Sequence, residues 1–181
     1  MKTVAIIAEY NPFHNGHKYQ IDKIRDILGE DTAIIAIMSG DYTQRGELAI
    51  TDKTVRAKIA VLCGADLVVE LPFPFSSSSA EFFARSGVKI ATEIGADYLA
   101  FGSETGDIEL ITKIADTMMS DDFLTTLNDI KANKDYAALG YAQILEKAYN
   151  VVTDGNLDFD ITGSNNILAY PILLYSFNTP K

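Results

Sequence analysis

Apolar residues in this chain follow two spacings that take turns along its first hundred positions. Thr3 to Ala8, Thr32 to Met38, Asp66 to Leu71 and Tyr98 to Phe101 are short, nearly continuous runs rich in Val, Ile and Leu. Such runs suit strands covered on both faces. Between them the spacing becomes helical. Ile21, Ile24 and Leu28 fall at i, i+3 and i+7, Val55, Ile59 and Leu62 at i, i+4 and i+7, and Phe83, Gly87, Ile90 and Ile94 extend the pattern over three turns. Strand and helix signals that alternate without a long linker predict an α/β fold with a mostly parallel sheet flanked by helices. Gly64 and Gly95 each follow a predicted helix and precede an Ala-Asp pair, as left-handed C′ residues would. Ser78 with Glu81 reads as a capping box.

Beyond Thr105 only helical stripes remain: Ile111, Ile114, Ala115 and Met118, then Phe123, Leu127 and Ile130, then Tyr141, Ile144, Leu145 and Ala148. The expected organisation is one domain over residues 1–181, with an α/β core at 1–105 and a helical annex at 106–181. Thr153 to Ser164, rich in Asp, Gly and Asn, reads as a loop. No internal repeat is visible.

Composition narrows the class. An apolar fraction of 48% over 181 residues is that of an ordinary globular domain. Met1 to Ala8 is too short for a signal peptide and lacks a cleavage site, and no apolar run spans a bilayer, so a membrane role is not expected. The single cysteine, Cys63, forms no internal disulfide, which fits a reducing cytoplasm; its plainest role is a small buried hydrophobe on a helix. The net charge of −10 is uneven: residues 1–63 balance eight basic against eight acidic side chains, while 64–135 carry five against thirteen. An acidic chain is a poor general polyanion binder. An RNA partner would need the local basic set Lys18, Arg25, Arg45, Lys53, Arg56 and Lys58, whose alternative reading is a solvated helix face.

The chemistry concentrates where the first strand gives way to the first helix. His14 and His17, the only histidines, straddle Gly16 at the start of the Ile21/Ile24/Leu28 stripe, just after Pro12. A helix start offers unpaired N–H groups and the positive end of the dipole, Gly16 permits close approach, and imidazoles donate to phosphoryl oxygens. Two other readings stay open: histidines satisfied at a helix start, or a pair of metal ligands, for which the nearby donor set is incomplete. No G-x-x-x-x-G-K-[ST] or G-x-G-x-x-G occurs. In an open parallel sheet, loops leaving the carboxyl ends of strands line the ligand crevice. Arg45, between Gly40 and Gly46, offers a contact for a phosphate or carboxylate, and Gly102 leaves room for a nucleoside against backbone. Ser164-Asn165-Asn166 is explained by helix capping alone.

His14-Asn15-Gly16-His17 matches the HxGH signature of nucleotidyltransferases and class I aminoacyl-tRNA synthetases. The longer string Glu9 to His17 resembles the bacterial tRNA(Met) cytidine acetate ligases. Four further blocks follow in order: Met38 to Glu47, Gly64 to Pro72, Phe101 to Gly106 and Ser164 to Leu168. The resemblance implies a Rossmann-like, HUP-type nucleotidyltransferase fold. It also implies that ATP activates acetate to acetyl-adenylate, and that the acetyl group passes to N4 of the wobble cytidine of elongator tRNA(Met). Carried onto this chain, Ile7, Ala8, Glu9, Tyr10, Asn11, Pro12, Phe13, His14, Asn15, Gly16, His17, Lys18, Tyr19 and Gln20 would wrap ATP. His14 and His17 would be catalytic, and Gly102 and Asn165 would complete the nucleotide site. Mg²⁺ is expected on chemical grounds, although no dedicated cage is visible. The family is about twice as long and carries a downstream Ser-rich segment ending in an arginine, so an isolated amino-terminal part or a shortened relative is expected. Pro171 stands where the family usually continues a helix.

Overall fold

Four of the apolar runs become strands: β1 (Thr3–Ala8), β2 (Ala33–Ser39), β3 (Leu67–Leu71) and β4 (Tyr98–Ala100). The computed structural model describes residues 1–103 and 106–155 together with Ala169 and Ile172. All pairings are parallel and the order is β3-β2-β1-β4. Three helices connect them: α1 (Asn15–Leu28), α2 (Lys53–Leu62) and α3 (Ala80–Glu93). The architecture is the expected α/β one. Contacts divide the chain into two units, one built on residues 1–101 and one that begins at Gly102.

Strand alternation sorts the core of the first unit. Val4 and Ile6 of β1 and Ile34 of β2 pack with Ile21 and Ile24 of α1, while Ala36 and Met38 of β2 meet Ala60 of α2, with Ala8 and Phe13 bridging the two clusters. On the opposite face α3 lies against Ile7. A Cβ built at Gly87 would sit 2.5 Å from Ile7 Cδ1 and 2.8 Å from Cγ1, so Gly87 is what permits that approach. Gly64 (φ +118°) and Gly95 (φ +73°) take the expected left-handed turns. The Ala-Asp pairs that follow have a job of their own. The Asp66 carboxylate accepts the Ile34 N–H at 2.7 Å and Asp97 accepts the Thr3 N–H at 2.8 Å, so each starts the neighbouring strand. Those hydrogen bonds hold the Asp97 carboxyl below its ordinary pKa.

Three expectations are corrected. The Val55/Ile59/Leu62 stripe of α2 does not face the core: these side chains are 47%, 38% and 76% exposed, and the helix buries Arg56 and Ala60 instead. Backbone carbonyls satisfy the guanidinium on that side, and small Ala60 admits it. Ser78 does not cap α3, because the helix begins one residue later behind Ser79, and the Ser78 hydroxyl donates to Pro74 O across the preceding 3₁₀ turn. The inner face of α3 runs through Phe83, Ala84, Gly87, Val88 and Ala91, and Ile94 is its partly exposed C-cap. Cys63 is likewise not inside a helix but caps α2, and it is only half-buried.

In the second unit the three stripes form α4 (Ile108–Met118), α5 (Asp121–Ala132) and α6 (Tyr141–Val152). Asp107 and Ser120 cap α4 and α5 through their side chains. The α4 and α5 stripes are buried throughout, and that of α6 centres on Leu145, Ala148 and Tyr149. Most of the expected loop at 153–164 and all of Ser164-Asn165-Asn166 lie outside the described residues. No helix among the described residues is long and apolar enough to cross a membrane.

Gly87→Ala is expected to destabilise the protein by about 1–3 kcal/mol through overpacking. Adding Ile7→Val should recover part of the loss, and thermal melts of the single and double variants check both.

Candidate functional site

β1 is the strand from which the chain departs in two directions, with β2 on one side and β4 on the other. Sheet order reverses there, the place where open parallel sheets take ligands, beyond the carboxyl ends of their strands. The turn that leaves β1 carries the histidines. Tyr10 sits at φ +48°, the Asn11–Pro12 peptide is cis, and His14 (φ −139°, ψ 175°) is the N-cap of α1.

The two imidazoles cap the helix reciprocally. The Gly16 N–H donates to Nδ1 of His14 at 3.1 Å, and the His14 N–H donates to Nδ1 of His17 at 3.2 Å. The rings stack with centroids 3.7 Å apart and planes 22° from parallel. This corrects one expectation: the first-turn amides of His14 and Gly16 are not left open, because the rings take them. The consequence concerns the opposite nitrogen. A neutral ring whose Nδ1 accepts must carry its proton on Nε2, so each imidazole presents an Nε2–H donor away from the backbone. Gly16 has a second reason to be glycine, since a Cβ there would stand 3.0 Å from His14 Cε1.

His17 is half-buried, its ring edge-on to Tyr10 at 4.8 Å and 5.3 Å from that of Phe13. Burial, and secondarily the neighbouring His14, lower its pKa to about 4, so at neutral pH it is an uncharged donor. Tyr10 is fully buried, and burial raises its pKa to about 12, which excludes it as a proton-transfer group near neutrality. No acidic residue sits in the first turn of α1, which leaves its positive end uncompensated.

The remaining string residues divide by location. Ile7 and Ala8 end β1. The Glu9 carboxylate accepts the Gln44 N–H, and Asn11 Oδ1 accepts the Ile50 N–H at 2.6 Å. Pro12 and Asn15 are exposed, Phe13 and Gln20 half-buried, and Tyr19 is 64% exposed with Lys23 above its ring. Gly102 is exposed, with nothing within 4 Å of a built Cβ, whereas Asn165 lies outside the described residues. Arg45 rides an exposed hairpin tip, where Thr43 N bonds Glu47 O, Gly46 N bonds Thr43 O, and Gly46 turns at φ +79°.

Four of the six candidate RNA-facing cations are engaged within the protein. Lys18 pairs with Asp22, Arg25 with Asp66 at 2.9 Å, and Lys53 with Glu70 at 2.9 Å and Asp41 at 3.7 Å. Arg56 is 1% exposed and donates to the carbonyls of Thr51 (3.2 Å), Glu9 (2.6 Å), Ser39 (3.2 Å) and Gly40. The basic set therefore does not form one open face. Neither the Arg56 clasp nor the Glu9 and Asn11 latches had a sequence signal beyond the small residues Ala57 and Ala60 beside Arg56. Among the described residues no group of three or more His, Cys, Asp or Glu is gathered to hold a metal.

Residues 1–175 match the family model described as HIGH Nucleotidyl Transferase. The chain belongs to that family. This HIGH nucleotidyltransferase is 39% identical to the tRNA(Met) cytidine acetate ligase of Caldicellulosiruptor bescii, an alignment that covers 99% of this chain and 44% of the relative. It is 43% identical to the ligase of the same name from Bacillus licheniformis, over 94% of this chain and 40% of that one. Among solved structures, Thermotoga maritima TmcAL bound with alpha-thio ATP superposes with a TM-score of 0.82 at 33% identity, covering 97% of this chain and 43% of that one. The apo form I of TmcAL gives 0.83 at 32% identity, covering 98% and 43%. The chain thus spans under half the length of these relatives.

The reciprocal cap makes a pH prediction. The folded-state pKa of His17 lies below its ordinary 6.5, so its stabilising contribution is complete above pH 6.5 and is lost as pH falls through about 4. The melting temperature of the wild type should therefore fall more between pH 6.5 and 4 than that of His17→Gln, and ring ¹⁵N shifts at pH 7 should report the Nε2–H tautomer for both histidines.

Proposed function

We propose that this HIGH nucleotidyltransferase activates acetate with ATP and serves the acetylation of N4 of the wobble cytidine in elongator tRNA(Met). The observation that carries the proposal is the stacked, neutral histidine pair at the start of α1, with both Nε2–H groups directed away from the backbone beside the β1/β4 end of the sheet. Similarity to ligases of that name, and to a relative bound with alpha-thio ATP, supports the same reading.

The chemistry follows from those donors. A carboxylate oxygen of acetate attacks the α-phosphorus in line, the bond to the bridging oxygen breaks, and pyrophosphate leaves. Negative charge that grows on the phosphoryl oxygens is met by fixed neutral donors at the positive end of a helix, with no proton transfer required. The cytidine N4 amine then attacks the acetyl carbonyl, the acyl–phosphate bond breaks, AMP departs and the amine gives up one proton to solvent. His14 and His17 hold phosphate oxygens and Arg45 meets a phosphate or the acetate carboxylate, while the family resemblance assigns Gly102 and Asn165 to nucleotide binding. Mg²⁺ accompanying ATP would supply charge neutralisation on the phosphates, alongside the donors of His14 and His17. Docking of tRNA falls to surfaces other than the internally paired cations of the first third.

Acetate-dependent exchange of labelled pyrophosphate into ATP tests the reading, and no exchange in a chain that still binds ATP would defeat it. Exchange that needs a phosphorylated small molecule instead of acetate would assign a small-molecule nucleotidyltransferase. His17→Ala should lower the exchange rate by about two orders of magnitude, the scale of one lost transition-state donor. Its circular dichroism spectrum should stay that of the wild type.

A further inference from the structure

Arg56 is the largest fully buried side chain among the described residues, and its four hydrogen bonds all end on backbone carbonyls. Those carbonyls come from three places: Glu9 just after β1, Ser39 and Gly40 at the end of β2, and Thr51 before α2. No carboxylate is bonded to the guanidinium. The negative charges of Asp41, Glu9 and Asp52 act on it only at a distance, while burial lowers its pKa. A buried cation held by dipoles alone is costly to place.

What the clasp does hold is informative. Glu9 receives Arg56 on its carbonyl and fastens the Gln44 amide with its carboxylate. Two residues on, Asn11 fastens the Ile50 amide. Gln44 lies inside the hairpin that carries Arg45, which the Tyr42–Leu48 bridge closes, and Ile50 stands just beyond it. The histidine turn and the Arg45 hairpin, 30 residues apart in sequence, are thus joined at three points on the same rim of the sheet.

We infer that Arg56 is a positioning residue for nucleotide binding, a guanidinium clasp that fixes the Arg45 hairpin against the His14/His17 turn. The inference rests on the nucleotide reading given above. A planar fork serves several carbonyls at once, whereas an ammonium on a flexible stem keeps the charge and loses the geometry. Arg56→Lys and Arg56→Gln separate the two. At a temperature where both variants keep the wild-type helical signal, amide hydrogen exchange at Gln44 and Ile50 should quicken about tenfold or more relative to Ile24 in α1. Calorimetric ATP affinity should fall by a similar factor, the scale of a lost hydrogen bond to a charged group. Exchange at Gln44 and Ile50 that rises only in step with Ile24, or ATP affinity within about twofold of wild type, would overturn the assignment. Collapse of both variants at every temperature would overturn it too, in favour of a purely structural role. A wild-type chain that takes up no ATP sinks the nucleotide reading separately, and the exchange comparison then decides for or against the clasp alone.

Discussion

Two imidazole nitrogens that accept main-chain N–H groups determine how the first helix begins and which donors it presents. The usual N-cap is a hydroxyl or carboxylate, whose oxygen is spent once it has accepted. An imidazole has a second nitrogen on the far side of the ring. Using Nδ1 on the backbone therefore orients Nε2, selects its protonation and stacks the rings, all without a charged group. The absence of acidic residues from that first turn and the presence of Gly16 under the His14 ring are conditions of the same device: a carboxylate would cancel the dipole, and a side chain would displace the ring.

The rest of the corner is held mostly by backbone. Glu9 and Asn11, which stand in the string expected to wrap ATP, turn their polar groups to the amides of Gln44 and Ile50, and Arg56 turns inward on carbonyls. Side chains that look like ligand contacts in a list of motif residues thus divide into those that face outward and those that hold the outward-facing ones in place.

The sheet was legible because its central strands β1 and β2 are largely buried and carry almost nothing but Val, Ile, Leu, Ala and Met, while the partly exposed edge strands β3 and β4 still keep short apolar runs. The α4 and α5 stripes were legible because a helix with one dry side repeats visibly every three to four residues. Both devices sense only apolar side chains. They failed at α2, where the inward side is set by a charged residue whose hydrogen bonds reach a carbonyl 47 positions away. They also missed the start of α3, because four consecutive serines offer equivalent caps and only tertiary context selects among them. The histidine turn was conspicuous from composition, strand and helix signals together. Its reciprocal cap was not, since the ring orientation depends on torsion angles that no spacing encodes.

Opposite ends of this sheet do different work. At the amino rim Asp66 and Asp97 clip the starts of β2 and β1, each by a carboxylate on a backbone amide, far along the strands from the histidines. The carboxyl rim carries the turn, the hairpin and the guanidinium. Strength and chemistry are therefore placed a full strand length apart, and one rim can drift under mutation, temperature or acidity while the geometry of the other is preserved by the stiff parallel ladder between them. A scaffold so divided can be toughened or softened from below without retuning what happens above.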